Sequence, residues 1–136
     1  MLLTRECDYG VRIIRALADG TKKTVEVIAS EEHIPVKYTY KIIKKLVKSD
    51  FVHSTRGRIG GYKLNKPLDS FSLFDIIKAV DAKRYVNECL RQDFTCHFKD
   101  NADNVCSVHL ELVHVQSQIE SVLDARTMDE VLQKKN

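Results

Sequence analysis

The sequence predicts a mainly α-helical fold with a small β-hairpin wing, in which a winged helix-turn-helix is followed by one long C-terminal helix. Three observations predict it. Two stretches with apolar residues at helical spacing are separated by a short break at residues 33–35. Residues 51–64 combine glycines with alternating periodicity, which is typical of a hairpin. Apolar residues then recur at spacings of three and four between Val108 and Leu123, as in an amphipathic helix.

Length and charge limit the possible classes of protein. A chain of 136 residues suits one compact domain with an appendage, built on one hydrophobic core. The net charge of +3 is mild, so an argument for nucleic-acid binding depends on where the basic residues lie. The first residues show no long apolar run behind a basic start, and no stretch is apolar for long enough to cross a bilayer. We therefore expect a cytoplasmic protein with no membrane partner.

The first three helices follow from capping residues and apolar spacing. Thr4 is a good N-cap for a first helix, which ends before the stop signal Gly20. Thr24 opens a short second helix. Residues 33–35, His-Ile-Pro, break that helix before a third helical pattern begins near Val36. Helix, tight turn and helix therefore follow one another.

The middle of the chain changes periodicity twice. Residues 51–64 alternate around the pair Gly60-Gly61, which predicts a short hairpin. Ser72 and Asp75 have the spacing of a capping box, in which each side chain satisfies a free backbone N–H of the other residue. A fourth helix is therefore predicted to run to about Asp81.

The C-terminal part begins with an irregular segment. Periodicity disappears over residues 83–105, which predicts a long loop. The apolar residues of the long helix that follows are Val108, Leu112, Val115, Ile119, Val122 and Leu123. Thr127 and Glu130 form a second capping box, which starts a brief last turn toward Leu132.

The third helix carries a basic stripe. At about 100° per residue, five lysines fall within roughly a third of its circumference: Lys37, Lys41, Lys44, Lys45 and Lys48. The opposite side collects the apolar candidates Val36, Tyr40, Ile43, Leu46 and Val47. Such a helix can bury one face and present ammonium groups to a phosphate backbone. The alternative is a solvated lysine face on an ordinary surface helix.

The hairpin adds a second basic element. Arg56 and Arg58 lie at its tip, where Gly60 and Gly61 allow close backbone approach, as insertion into a narrow minor groove requires. Base reading then falls to the side chains near the start of the third helix, which enters the major groove. These side chains are Lys37, Tyr38, Tyr40 and Lys41, although Tyr40 is equally compatible with the core.

Several of these motifs together resemble one known family. They are Leu3-Thr4, Tyr9-Gly10-Val11-Arg12, the third helix from Ile34 to Leu46 with Tyr38, Arg58-Ile59-Gly60-Gly61-Tyr62-Lys63-Leu64, and Ser72-Leu73-Phe74-Asp75-Ile76-Ile77. Nearly the whole chain is similar to the winged-helix transcription regulators of the IscR, NsrR and CymR type. The resemblance implies a homodimer whose long C-terminal helices cross. It also implies binding to a near-palindromic double-stranded DNA operator, with the two third helices in successive major grooves about 34 Å apart.

The chain accordingly divides into a DNA-binding domain over 1–82, a cysteine-bearing sensor loop over 83–106, and a dimerisation helix with a C-terminal turn over 107–136. Cys89, Cys96, Cys106 and then His109 place three thiols and an imidazole within a short span. Cytosolic thiols are kept reduced, so metal binding or redox sensing is favoured over disulfides.

The resemblance implies an iron-sulfur cluster on the three cysteines, completed by His109 or by the Asp8 carboxylate of a partner subunit; Cys7 is a third candidate. The gap between Cys96 and Cys106 departs from the family pattern, since Asp100, Asn101, Asp103 and Asn104 lengthen it. The cluster type therefore stays open between 2Fe-2S and 4Fe-4S. The same donor set also suits structural zinc, and without a metal the thiols are ordinary small buried groups.

These observations predict a dimeric, sequence-specific DNA-binding repressor whose cluster senses nitric oxide, redox state or iron. Cluster loss would shift the dimer helices and change the separation of the two third helices. The alternatives are a cluster-free regulator of the same family that responds to a metabolite or partner protein, and a zinc-stabilised interaction module. An enzyme is not expected, because no glycine-rich phosphate loop or strand-anchored nucleophile accompanies the cysteines.

Overall fold

The structure, a computed structural model, describes residues 3–100 and 103–133. Helix α1 (Arg5–Ala16) begins at the Thr4 hydroxyl, which accepts a hydrogen bond from the backbone N–H of Cys7. Helix α2 (Val25–Glu32) begins in the same way at Thr24 and ends at His33, whose φ of 53° is left-handed. Helix α3 (Val36–Lys48) follows directly, so the predicted helix, turn and helix are confirmed.

The hairpin is also confirmed. Strands β1 (Val52–Thr55) and β2 (Gly61–Leu64) pair antiparallel, with Val52 opposite Leu64 and Thr55 opposite Gly61. Tyr62 and Lys23 exchange two backbone hydrogen bonds, of 2.9 and 2.7 Å. The hairpin is therefore anchored to the connection between α1 and α2 as well as to itself.

Both predicted capping boxes are present. Helix α4 (Leu73–Val80) begins at the box of Ser72 and Asp75. Helix α6 (Met128–Leu132) begins at the box of Thr127 and Glu130. Between them lies α5 (Ser107–Asp124), the long helix. Short 3-10 turns cover Leu68–Ser70, Glu88–Leu90 and His97–Asp100, and the last two lie within the segment predicted to be irregular.

One core joins the helices and the base of the hairpin. Its largest fully buried side chains are Ile13, Ile14, Leu17, Ile28, Ile42, Ile43, Leu46, Val52, Ile76, Ile77, Val80 and Met128. Met128 belongs to α6, so the C-terminal turn packs into the same core as α1 to α4. The Ser72 hydroxyl donates to the Asp124 carboxylate at 2.6 Å, which fastens the end of α5 to the start of α4.

Helix α5 differs from the others in its burial. Leu112, Ile119 and Leu123 are partly buried, whereas Val108 and Val122 are 65% and 73% exposed. Within the described ranges, no helix combines the length and apolar character that a bilayer crossing needs.

Candidate nucleic-acid interface and thiol segment

Helix α3, hereafter the reader helix, separates a buried face from a basic one. Thr39, Ile42, Ile43 and Leu46 are 0% exposed. Lys37, Lys41, Lys44 and Lys48 are exposed on the other side. The predicted stripe is therefore outward-facing at these four lysines, and a row of cations on one helical face suits a phosphate backbone.

Lys45 is a correction to the predicted stripe. Its ammonium lies 2.6 Å from a Glu6 carboxylate oxygen of α1 and 2.7 Å from the backbone carbonyl oxygen of Val80, the last residue of α4. Lys45 lies at the edge of the stripe, where α1 and α4 pack beside the reader helix. Its side chain is therefore used in holding three helices together.

Two residues expected on the apolar side are exposed instead. Val36 is 43% and Tyr40 42% exposed, because both flank the buried face near the first turn of the reader helix. The Tyr40 hydroxyl donates to the Glu26 carboxylate of α2 at 3.2 Å. The negative charge of Glu26 raises the pKa of the Tyr40 phenol, so at neutral pH this group is a neutral donor. Tyr40 is thus available at the surface as a reading side chain.

Tyr38 is exposed as well, but one side of its ring is occupied. Its ring centroid lies 5.9 Å from that of Tyr9 on α1, with the planes tilted by 48°. An aromatic pair of this geometry restricts the ring, while Tyr38 as a whole stays 45% exposed. Tyr38 is therefore positioned by α1, at the start of the reader helix.

The wing carries exposed cations at its tip. Arg56 and Arg58 are exposed. Ile59, which follows Arg58 and precedes Gly60, is 81% exposed. An open groove between this tip and the reader helix is lined by Glu26, Tyr40 and both arginines. The groove brings the two predicted DNA-contacting elements to one side of the molecule.

Gly60 and Gly61 of the wing also pack closely against the backbone of the protein itself. A Cβ at Gly61 would lie 2.8 Å from the backbone oxygen of Lys23, and Gly61 is buried. A Cβ at Gly60 would lie 2.8 Å from the backbone oxygen of Thr55. Close backbone packing within the protein therefore requires both glycines, and both also line the open groove beside the reader helix.

Residues 83–106, hereafter the thiol segment, hold three half-buried, unpaired thiols: Cys89, Cys96 and Cys106. In the described part of the chain no three Cys, His, Asp or Glu side chains come together as a metal-binding group. Asn101, one of the polar residues that lengthen this segment, lies outside that part. The predicted donors are thus not gathered within one chain.

The donors nevertheless fit a soft metal centre in their chemistry. Three accessible thiols are the ligands that iron in sulfide clusters prefers. The His109 Nδ1 is buried without a hydrogen-bond partner among the described residues, which leaves one imidazole nitrogen unused. The Cys106 sulfur accepts the backbone N–H of His109 at 3.3 Å and so caps α5.

The remaining ligand candidates lie on α1. Asp8 is exposed and paired with Arg12 at 3.0 Å. Cys7 is 2% exposed within the core, with its sulfur 3.9 Å from the Asp81 carboxylate. Cys7 is therefore a core residue, whereas Asp8 stays at the surface, where a second subunit can approach it.

Three residues that contribute to the site were not predicted from the sequence: Glu6, Tyr9 and Glu26. Each acts across helices, by holding the lysines, the ring of Tyr38 or the hydroxyl of Tyr40. Spacing along one helix gives no signal for such contacts. Glu6 and Glu26 do lie in first turns, but there a carboxylate is already explained by the helix dipole.

Comparisons with known proteins agree with this architecture. The family model Rrf2, described as an iron-dependent transcriptional regulator, matches residues 3–134. A candidate HTH-type transcriptional regulator of Haemophilus influenzae is 31% identical over 139 residues, which cover 100% of this chain and 89% of that protein. These matches name transcriptional regulators, and they agree with a chain that is not an enzyme.

Solved structures share the fold. The oxidised form of CymR from Staphylococcus aureus superposes with a TM-score of 0.74 at 19% identity, over 100% of this chain and 99% of that one. IscR of T. potens gives 0.71 at 24% identity, over 97% of this chain and 86% of that one. At these identities the likeness confirms the winged helix-turn-helix fold. Since the family model spans residues 3–134, the chain belongs to the Rrf2 family of iron-dependent transcriptional regulators.

Proposed function

We propose that the chain is a cytoplasmic repressor that binds a double-stranded DNA operator as a homodimer, with the reader helix in the major groove and the wing in the adjacent minor groove. One observation carries the proposal. Tyr40 of the reader helix and the two arginines of the wing line one open groove, and the reader helix also carries four exposed lysines. Lysine and arginine contacts to phosphate set affinity and salt dependence, while Tyr38 and Tyr40 at the start of the reader helix are placed for base contacts.

The unburied face of α5 supports the homodimer. Val108, Leu112, Val115, Ile119 and Val122 follow one another at spacings of four and three, the repeat of a helix that packs on another helix. Val108 and Val122 are largely exposed in the single chain. A second copy that covers this stripe buries apolar surface and brings two reader helices into one symmetric particle.

Electrophoretic shift titrations at several salt concentrations test the DNA proposal. We expect log K to fall linearly with log salt, with a slope of about −0.9 for each phosphate contact. Lys44→Met removes one contact per chain and should flatten that slope. Lys78→Met is the matched control, since it removes an exposed lysine on α4. Equal slopes for both variants, or binding that does not depend on salt, would contradict the proposal.

We further propose that Cys89, Cys96 and Cys106 hold an iron-sulfur cluster, with His109 or the exposed Asp8 of a second subunit as the remaining ligand. The support is the donor chemistry of the thiol segment and the unused Nδ1 of His109. When bound, such a cluster supplies a centre that reacts with nitric oxide or oxygen and responds to iron supply. The thiol segment follows α4 directly, so its residues lie between the winged helix and α5.

Anaerobic purification with a visible spectrum and with iron and sulfide assays tests this second proposal. We expect visible absorption with matched iron and sulfide in the wild type, their loss in Cys89→Ala, and their retention in Cys7→Ala, which changes a core thiol outside the segment. Colourless protein with bound zinc would identify a structural zinc site instead. Colourless protein without metal would favour a cluster-free regulator that responds to a metabolite or a partner protein.

A further inference from the structure

Glu6 is an acidic residue at the edge of the basic face. It lies in the first turn of α1, and each of its carboxylate oxygens binds a different lysine of the reader helix. Oε1 accepts from Lys41, and Oε2 accepts from Lys45 at 2.6 Å. The two lysines therefore share one counter-charge from within the protein.

The two lysines differ in what else they contact. The Lys45 ammonium also donates to the Val80 carbonyl oxygen and stays fixed between helices. The Lys41 side chain is 55% exposed, and Glu6 is the carboxylate that pairs with its ammonium. Among the described residues, no carboxylate pairs with Lys37, Lys44 or Lys48 in this way. Among these exposed lysines, Lys41 therefore differs in already being paired with a carboxylate of the protein.

We propose that Glu6 withholds the Lys41 ammonium from DNA phosphates and so weakens the electrostatic, sequence-independent part of DNA binding. The inference rests on the proposed DNA-binding function. A phosphate must compete with the Glu6 carboxylate for Lys41, and this competition weakens a contact that carries no sequence information. Glu6 therefore lowers the part of the affinity that operator and nonspecific DNA share.

The test compares nonspecific duplex binding by the wild type and by Glu6→Gln over a range of salt. Release of Lys41 adds about one phosphate contact per chain, so the slope of log K against log salt should steepen by about 0.9 per chain. Asp69→Asn is the matched control, because it removes one exposed carboxylate on the 3-10 turn away from the reader helix. We expect this control to leave the slope unchanged.

Two further variants separate release of Lys41 from loss of a negative charge. In a Lys41→Met background, Glu6→Gln should change the slope no more than Asp69→Asn does. Lys41→Met alone should flatten the wild-type slope by clearly less than Lys44→Met, a comparison that does not depend on how well Glu6→Gln folds. Equal flattening by the two lysine variants, or an unchanged slope in folded Glu6→Gln, would overturn the role of Glu6. Absence of salt-dependent binding by the wild type would overturn the DNA-binding function and this inference together.

Discussion

Glu6 makes the contact between α1 and the reader helix sensitive to acid. Hydrogen bonds from Lys41 and then from Lys45 hold the pKa of its carboxyl below the ordinary glutamate value, against the opposing effect of burial. A carboxyl whose pKa is lower in the folded state stabilises the fold above its unfolded pKa. That contribution is lost as the pH falls through the folded pKa.

The free energy of unfolding of the wild type should therefore exceed that of Glu6→Gln near neutral pH, and the difference should shrink below the ordinary glutamate range. Urea denaturation of both proteins over a pH series measures it. A difference that stays constant into acid would show that the carboxylate charge is not what Glu6 contributes.

At Gly61 the packing of the backbone leaves no room for a side chain. A Cβ at this position would meet the Lys23 backbone oxygen at 2.8 Å, and backbone cannot move aside as a flexible side chain can. We expect Gly61→Ala to destabilise the protein by about 1–3 kcal/mol through overpacking. Urea denaturation, with Ser54→Ala on the paired strand as the control, checks the value; a neutral Gly61→Ala would mean that the wing can detach from Lys23.

Individual residues were predicted unevenly, for a physical reason. The lysines at the centre of the stripe were assigned correctly to an outward face, because the helical period alone fixes it. Lys45 at the stripe's edge was not, since its surroundings depend on which helices pack there. Val36 and Tyr40, which were placed on the apolar side, are exposed for the same reason.

At the scale of elements, α5 is the helix that the single chain leaves least covered. An acidic side chain in its apolar stripe should prevent a second copy from packing there. We expect Val122→Asp to give a monomer by light scattering at concentrations where the wild type is a dimer. Ser121→Asp, which introduces the same charge at the neighbouring exposed position outside the stripe, should remain dimeric; a dimeric Val122→Asp would place the interface elsewhere.

The elements themselves were predictable wherever local chemistry decides them. Thr4, Thr24, Ser72 and Thr127 all cap helices as their sequence context indicated, because each cap needs only residues within the next turn. The short 3-10 turns carry no comparable signal: two of them lie within the predicted loop, and the turn at Leu68–Ser70 was not predicted. The gathering of the thiols depends on long-range placement or on a second subunit, which spacing cannot supply.

At the scale of the whole molecule, α1 and α6, the first and last helices of the described residues, share one core. Met128 of α6 is 0% exposed among side chains of α1 to α4. Met128→Ala should therefore cost about 2–5 kcal/mol, as expected for a large-to-small change in a core. Thermal unfolding should remain a single transition with a lower Tm, with the exposed Gln133→Ala as control; a separate early transition would show that α6 melts independently.

The Lys45 ammonium joins three places that are far apart along the chain: Glu6 near one end, the reader helix, and the Val80 carbonyl where α4 stops. The Thr4 hydroxyl adds a bond to Asp81 at 2.8 Å, one residue further on. A tilt of the reader helix therefore disturbs the end of α4, after which the thiol segment begins. Coupling of this kind is reciprocal. If chemistry at the thiols alters the affinity for an operator by some factor, occupancy of that operator must alter the equilibrium of the thiol chemistry by the same factor.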